Sequence, residues 1–245
     1  MDKRNIRKII KKIYEMAVSL IFPGRCPVCD RPVRPFGALS CPECENRIRY
    51  VEGDVCCKCG KPVPDSREYC RDCERRHHDF KRGFSLFEYN SVSDSIYRFK
   101  YRGRREYAVW YGKQMAAKLG GDLRRLRPDA LIPIPIHSSK MRTRGYNQAS
   151  VLARELGRRI GIPVYDGLLI REKKTSPLKD LTPEERNNIL RGAFKITSND
   201  VKLKTIVIID DIYTTGATID EAARVLKAAG AENVYFATLS IGKGV

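Results

Sequence analysis

From residue 107 onward the apolar positions switch between two periods. Residues 107–119 keep a helical period and run into a basic stretch that ends at Pro128. Residues 130–136, ALIPIPI, make a short apolar strand that ends in prolines. Residues 147–160 put Ala149, Leu152, Ala153, Leu156 and Ile160 on one helical face. A strand within 163–171 follows, then a short helix over 183–191 with Thr182 as N-cap. Residues 205–209 predict a strand, 217–229 a helix and 233–239 a last strand. This alternation predicts an α/β domain, a parallel sheet with helices on both faces. Ligands on such sheets bind beyond the carboxyl ends of the strands. At the other end of the chain Ile6, Ile9, Ile10, Ile13, Ala17 and Leu20 recur at helical spacing, so residues 5–21 read as an amphipathic helix. Docking on its own domain is the favoured role, with contact to a membrane surface as the alternative.

The segment between these regions follows neither period, and cysteine explains why. All nine cysteines lie between Cys26 and Cys73. Eight form C-x-x-C pairs: Cys26/Cys29, Cys41/Cys44, Cys56/Cys59 and Cys70/Cys73. The region repeats, CPVCDRPV returning as CCKCGKPV, and each copy closes on a second pair, CPEC or CRDC. C-x-x-C places two sulfurs on one tetrahedral zinc, so each copy supplies a full set. A module this small buries little apolar surface, and metal binding would supply much of its folding free energy. Sequential pairing is simplest: Cys26, Cys29, Cys41 and Cys44 on one zinc, and Cys56, Cys59, Cys70 and Cys73 on another. Interleaved ribbons are the alternative. A disulfide framework fits poorly with a chain that carries no recognisable secretion signal. Cys57 is left over as a spare thiol. His77 and His78 read as polar surface residues rather than ligands, because the cysteine quota is full.

Charge adds a partner class. The formal net charge is +18, which predicts attraction to nucleic acid, phosphorylated metabolites or an acidic membrane surface. Residues 81–111 interleave aromatic and basic side chains, as single-strand nucleic-acid surfaces do. The aromatics by themselves favour packing on a core. The cluster Arg98, Lys100, Arg102, Arg104 and Arg105 is either a phosphate-binding surface or a solvated turn. No stretch is long and apolar enough for a membrane span.

The most specific chemistry is TIVIIDDIYTTGAT, residues 205–218. An apolar strand ends in Asp210 and Asp211, and the following loop opens a helix. Free N–H groups and the positive dipole end at a helix start suit a phosphate without any lysine. Gly216 permits close backbone approach, Thr214, Thr215 and Thr218 add hydroxyl donors, and Ala217 opens the helix. The aspartates suit sugar hydroxyls or a metal ion. The pattern therefore fits a ribose 5-phosphate. It is neither a P-loop nor a dinucleotide fingerprint, since G-x-x-x-x-G-K-[ST] and G-x-G-x-x-G are absent. A signalling phosphoacceptor pair would lie on a first strand, whereas this one lies late in the chain.

IVIIDDIYTTGAT resembles the signature of type I phosphoribosyltransferases, which bind 5-phosphoribosyl-1-pyrophosphate (PRPP). With its cysteine ribbons, FKYRG, IPIPIHSSKMRTRGYNQ and RNNILRGAF segments, the chain is similar to the ComF family over nearly its full length. The resemblance implies a helix over 1–24, a double zinc ribbon over 25–80 and a phosphoribosyltransferase-like domain over 81–245. It implies that Asp210 and Asp211 contact the ribose with Mg²⁺, and that Thr214, Thr215, Gly216, Ala217 and Thr218 wrap the 5-phosphate. Ile136, His137, Ser138 and Ser139 would form the pyrophosphate loop, with charge from Lys140, Arg142 and Arg144. The alternative for these cations is a basic surface loop. Relatives often carry a glutamine where this chain has TSPLKDL, residues 175–181, and there is none here. The family is associated with natural transformation. That implies a protein of the cytoplasm, or of the inner membrane face, which handles single-stranded DNA beside other uptake proteins. A phosphoribosyltransferase with an unknown acceptor is the alternative.

Overall fold

The structure is a computed structural model, which describes residues 10, 23–34, 37–64, 67–173, 189–197 and 202–242. The helix expected over 5–21, apart from Ile10, most of the 183–191 helix and the 175–181 segment lie outside the described residues. Two compact units divide between Ile48 and Arg49, inside the span that the sequence groups as one ribbon module.

The first unit holds the first ribbon. Its knuckle closes with Cys26 N–H donating to Arg31 O at 2.9 Å and Asp30 N–H to Cys26 O at 2.8 Å. The second unit repeats this at Cys56, which donates to Lys61 O at 2.7 Å, while Gly60 N–H donates to Cys56 O at 2.9 Å. Asp30 (φ 60°) and Gly60 (φ 76°) both take the left-handed conformation that the turn demands. Only the second copy needs glycine on packing grounds, because a Cβ at Gly60 would sit 2.7 Å from Gly83 O. One short helix carries each ribbon's second pair, α1 (Pro42–Glu45) capped by Cys41 and α2 (Arg71–Arg75) capped by Cys70.

The second unit is built on four parallel strands: β1 (Gly83–Glu88), β2 (Ala130–Pro133), β5 (Thr205–Tyr213) and β6 (Asn233–Ile241). Their order is β1-β6-β5-β2. A bridge from Leu131 to Val164 extends the β2 edge. The expected strand within 163–171 thus divides into that bridge and β3 (Leu169–Arg171), which pairs antiparallel with β4 (Phe194–Ile196). Three-residue strands carry too little periodicity to be read from sequence. Helices α3 (Tyr89–Tyr101), α4 (Tyr107–Lys118), α5 (Gly120–Arg125), α6 (Ser138–Arg144), α7 (Gln148–Ile160) and α8 (Ala217–Ala228) complete the unit.

Strand alternation sorts the core. Ile206, Ile208, Val234 and Phe236 join Ile219, Ala222, Ala223 and Leu226 of α8 in one cluster. Cys56, Cys59, Val63 and Phe80 belong to the same cluster, so the second ribbon shares the sheet's core. Gly157 lets α7 close on β2, since a Cβ there would meet Val164 at 2.7 Å and Leu131 at 3.6 Å. Most aromatics of residues 81–111 are core residues. Phe87 and Trp110 stack at 5.7 Å, and Phe99, Tyr107 and Tyr111 are at most 1% exposed. Phe84 and Tyr89 are half-buried, and Tyr97 and Tyr101 are exposed, at 53% and 57%.

Candidate functional site

The β5 strand runs past the residue where its apolar character stops. Pairing with β6 continues through Asp210–Thr238, Ile212–Ser240 and Tyr213–Ile241. Asp210 and Asp211 are therefore strand residues at the carboxyl end of the sheet, not loop residues. Successive strand side chains face opposite sides, and the two carboxylates acquire different partners. Asp211 Oδ1 lies 2.7 Å from Lys100 Nζ of α3. Asp210 Oδ1 accepts from the Asp211 N–H at 2.8 Å and lies within electrostatic reach of Arg171 on β3. Burial first, and Asp211 second, push Asp210 up to about 7. Burial opposes the Lys100 charge, but Asp211 outweighs it and holds Lys100 above its usual range.

Thr214, Thr215 and Gly216 turn the chain into α8. Gly216 is the N-cap at φ 87°, with no side-chain cap bond, so the first N–H groups of α8 stay open to a ligand. Asp210, Ile212, Tyr213 and residues 214–219 line one pocket here. It places a carboxylate and a helix N-terminus side by side, the pairing that a phosphorylated polyol requires.

The stretch expected to be a pyrophosphate loop is mostly helix. Ile136 and His137 follow β2 outside any element, His137 in extended conformation, and α6 begins at Ser138. His137 is its N-cap, Nδ1 accepting from Ser139 N–H at 3.2 Å, and Gly145 (φ 76°) ends it. Residues four apart share a helical face, which puts Lys140 and Arg144 together and Arg142 elsewhere. Burial first, then Arg171, Arg144 and Lys100, hold Lys140 below its usual range. Arg171 is lowered by burial. Such crowded cations beside the carboxylates suit an anion. Arg144 donates to Gln148 Oε1 at 3.0 Å and covers the Tyr101 ring at 4.7 Å, whereas Arg142 is exposed. Asn147 caps α7, accepting from Ala149 N–H at 3.1 Å and donating to Ile134 O at 2.9 Å. Tyr146 donates to Phe99 O.

The basic cluster of residues 98–105 is dispersed. Lys100 is committed to Asp211, and Arg104 lies 3.8 Å from Glu106. Arg98 is half-buried on α3, while Arg102 and Arg105 are exposed. Sequence reasoning missed Lys100 and Arg171 as neighbours of the aspartates. No spacing rule links positions so far apart, and only the tertiary fold joins them.

Both cysteine quartets assemble in the sequential pairing, each with sulfurs mutually within 4.8 Å. All nine cysteines are free of disulfides, and Cys57 is exposed outside the quartets. Burial and the sulfurs of Cys26 and Cys29 push Cys41 to about 11 and Cys44 to about 12. Four converging thiols cannot ionise together without a cation, and tetrahedral zinc fits this donor set. One expectation is corrected: His77 is exposed, but His78 is 3% exposed and belongs to the interior. Its partner, Asp220, lies 142 residues on.

Comparison with known proteins agrees with this architecture. The double zinc ribbon domain family matches residues 17–74, and the phosphoribosyl transferase domain family matches residues 141–243. Competence protein ComFC of Bacillus subtilis is 30% identical, over 78% of this chain and 78% of that protein. The chain belongs to the ComF family. Competence protein F of Haemophilus influenzae is 26% identical, covering 87% of this chain and 95% of its own. The DNA utilization protein YhgH of Salmonella typhimurium is 26% identical, covering 88% and 96%. In this family member the parallel sheet also takes in β1 and β2, which precede the matched transferase segment. Among the described residues, no helix is long and apolar enough to cross a membrane.

Proposed function

We propose that the protein binds PRPP with Mg²⁺ and acts in competence-related DNA uptake, handling single-stranded DNA. The observation that carries the ligand assignment is the shared pocket of Asp210 and the 214–218 loop at the carboxyl end of β5. The open N–H groups of α8, with the Thr214, Thr215 and Thr218 hydroxyls, would hold the 5-phosphate, and Gly216 and Ala217 keep the backbone accessible. Asp210 and Asp211 would accept from the ribose hydroxyls. Their hard oxygen atoms also suit Mg²⁺, and the crowding that raises Asp210 to about 7 is relieved by either kind of partner. When bound, Mg²⁺ supplies charge neutralisation at the pyrophosphate. Lys140, Arg171 and Lys100, which lie within electrostatic reach of the aspartates, would supply positive charge at that end, and Ile136, His137, Ser138 and Ser139 would shape its wall.

The competence role rests on the names of the relatives. A DNA surface is supported by the exposed Tyr97 and Tyr101, whose rings lie 5.1 Å apart, beside exposed Arg102 and Arg105. Exposed rings flanked by cations offer bases a stacking platform and phosphates a track. Phosphoribosyl transfer to an unidentified acceptor is the second reading, favoured by the cations gathered at the leaving-group end. In that step the acceptor forms a bond to ribose C1 as the C1–pyrophosphate bond breaks.

Calorimetric titration of PRPP with and without Mg²⁺, on wild type and Asp211→Asn, tests the ligand assignment. Binding should require Mg²⁺ and weaken in the variant, and equal binding by both proteins would refute the ribose contact. Single-stranded DNA should bind with affinity that falls steeply with salt. The absence of binding at low salt would remove the DNA role.

A further inference from the structure

The second ribbon and the 214–218 loop rest on a common support. His78 follows the ribbon's last cysteine pair, and its side chain is 1% exposed. His78 Nδ1 lies 2.8 Å from Asp220 Oδ2, while Asp220 Oδ1 accepts from the Asp79 N–H at 2.9 Å. Asp220 stands in the first turn of α8, and its own N–H donates to Gly216 O at 2.8 Å. One carboxylate thus ties the chain leaving the ribbon to the turn that opens the helix. His78 also stacks on Phe80 at 4.8 Å, and Phe80 meets Tyr213 edge-on at 6.1 Å. Within the ribbon, Lys61 pairs with Asp72, between Cys70 and Cys73, at 2.5 Å. The same ammonium lies 6.0 Å over the Tyr213 ring.

These contacts converge beneath Gly216. A Cβ there would lie 2.8 Å from the Tyr213 hydroxyl oxygen, 3.1 Å from His78 Cε1 and 3.3 Å from Asp220 Oδ2. His78 Nε2 is buried with no hydrogen-bond partner, and His78 is not among the residues lining the pocket. The imidazole therefore supports the loop from below, as a positioning residue.

We propose that zinc at Cys56, Cys59, Cys70 and Cys73 is coupled to phosphate at the 214–218 loop through His78, Asp220 and Tyr213, each ligand strengthening the binding of the other. This rests on the reading of that loop as a phosphate site. Zinc orders the ribbon, and the ordered ribbon fixes residues 78–80 and Lys61 against the loop. A loop already ordered loses less entropy when phosphate binds, and linkage makes the effect reciprocal.

The test follows zinc release from the full chain to a chromogenic chelator. Two phases are expected, one per quartet, and Cys29→Ser identifies the phase of the second ribbon. PRPP with Mg²⁺, or ribose 5-phosphate, should slow that phase about tenfold, within the usual range of coupling, and leave the other unchanged. In His78→Ala and Asp220→Asn the protection should disappear. Their affinity for ribose 5-phosphate should fall about tenfold, with that for magnesium pyrophosphate unchanged. His78→Asn keeps a donor near Nδ1 for Asp220 and should retain protection, which separates the clamp from bulk packing. If PRPP binds the wild type yet neither phase slows, both slow equally, or the variants protect as well as wild type, the coupling is refuted and the phosphate site stands. If PRPP and ribose 5-phosphate bind nowhere on the wild type, the phosphate site falls and the coupling falls with it.

Discussion

Asp210→Asn should make the protein more stable, and more so as pH rises. Burial and the neighbouring Asp211 lift the folded-state pKa from 3.8 to about 7, against the pull of Lys100. An acid raised in this way binds more protons folded than unfolded, so stability falls as pH rises through that window. One pKa unit is worth about 1.4 kcal/mol, and full ionisation therefore costs up to about 4 kcal/mol. Asp210 retains some contact with solvent, and screening makes that figure an upper limit. Asparagine keeps an oxygen for the Asp211 N–H and removes the charge. The stability difference between variant and wild type should grow by about 1.4 kcal/mol per pH unit from about pH 5 to pH 7, then level off. Zinc affinity also changes with pH, but equally in both proteins, so it cancels in the difference. Urea unfolding can be followed by fluorescence, because the single tryptophan, Trp110, is 1% exposed within the sheet unit. A difference that stays flat between about pH 5 and pH 8, or a variant less stable than wild type at pH 8, would refute the burial argument. If Asp210 contacts the ribose as proposed, the same variant should also bind PRPP more weakly, a loss of function alongside a gain in stability.

Lys100→Met leaves Asp211 buried and without its cation, and should lower stability by about 3 kcal/mol; an unchanged thermal midpoint would show that the ion pair is dispensable. Gly216→Ala forces a Cβ into the cradle under the loop at φ 87° and should cost about 1–2 kcal/mol while weakening ribose 5-phosphate binding in calorimetry. Tyr97→Ala and Tyr101→Ala should each cost about 1–3 kcal/mol of single-stranded DNA affinity with the salt slope unchanged. Arg102→Gln and Arg105→Gln should each reduce that slope by roughly 0.7, and filter binding across a salt series distinguishes the two effects.

The features legible in the sequence are those carried by neighbours along the chain. C-x-x-C spacing determines which sulfurs can share a turn, and both quartets assemble as the repeat implies. The face of α7 and the strand at 205–209 follow from local chemistry and period. The 214–218 loop is read correctly as the start of a helix, because a glycine N-cap and an apolar-periodic run lie within a few residues. The strand's true end at Tyr213 is not legible, because it depends on how far β6 continues beside it.

What only the tertiary structure decided is how distant charges meet. Lys100 reads as one cation among five until the sheet brings α3 over β5, where it neutralises Asp211. Arg171 joins the same site through a three-residue strand with no period to detect. His78 reads as a surface histidine until the second ribbon docks on the sheet and buries it against Asp220. Composition fixes how much charge the chain carries, and local pattern fixes where each element lies. Which charges end up a few ångströms apart in low dielectric is set by long-range packing, and that pairing determines the electrostatics of the site.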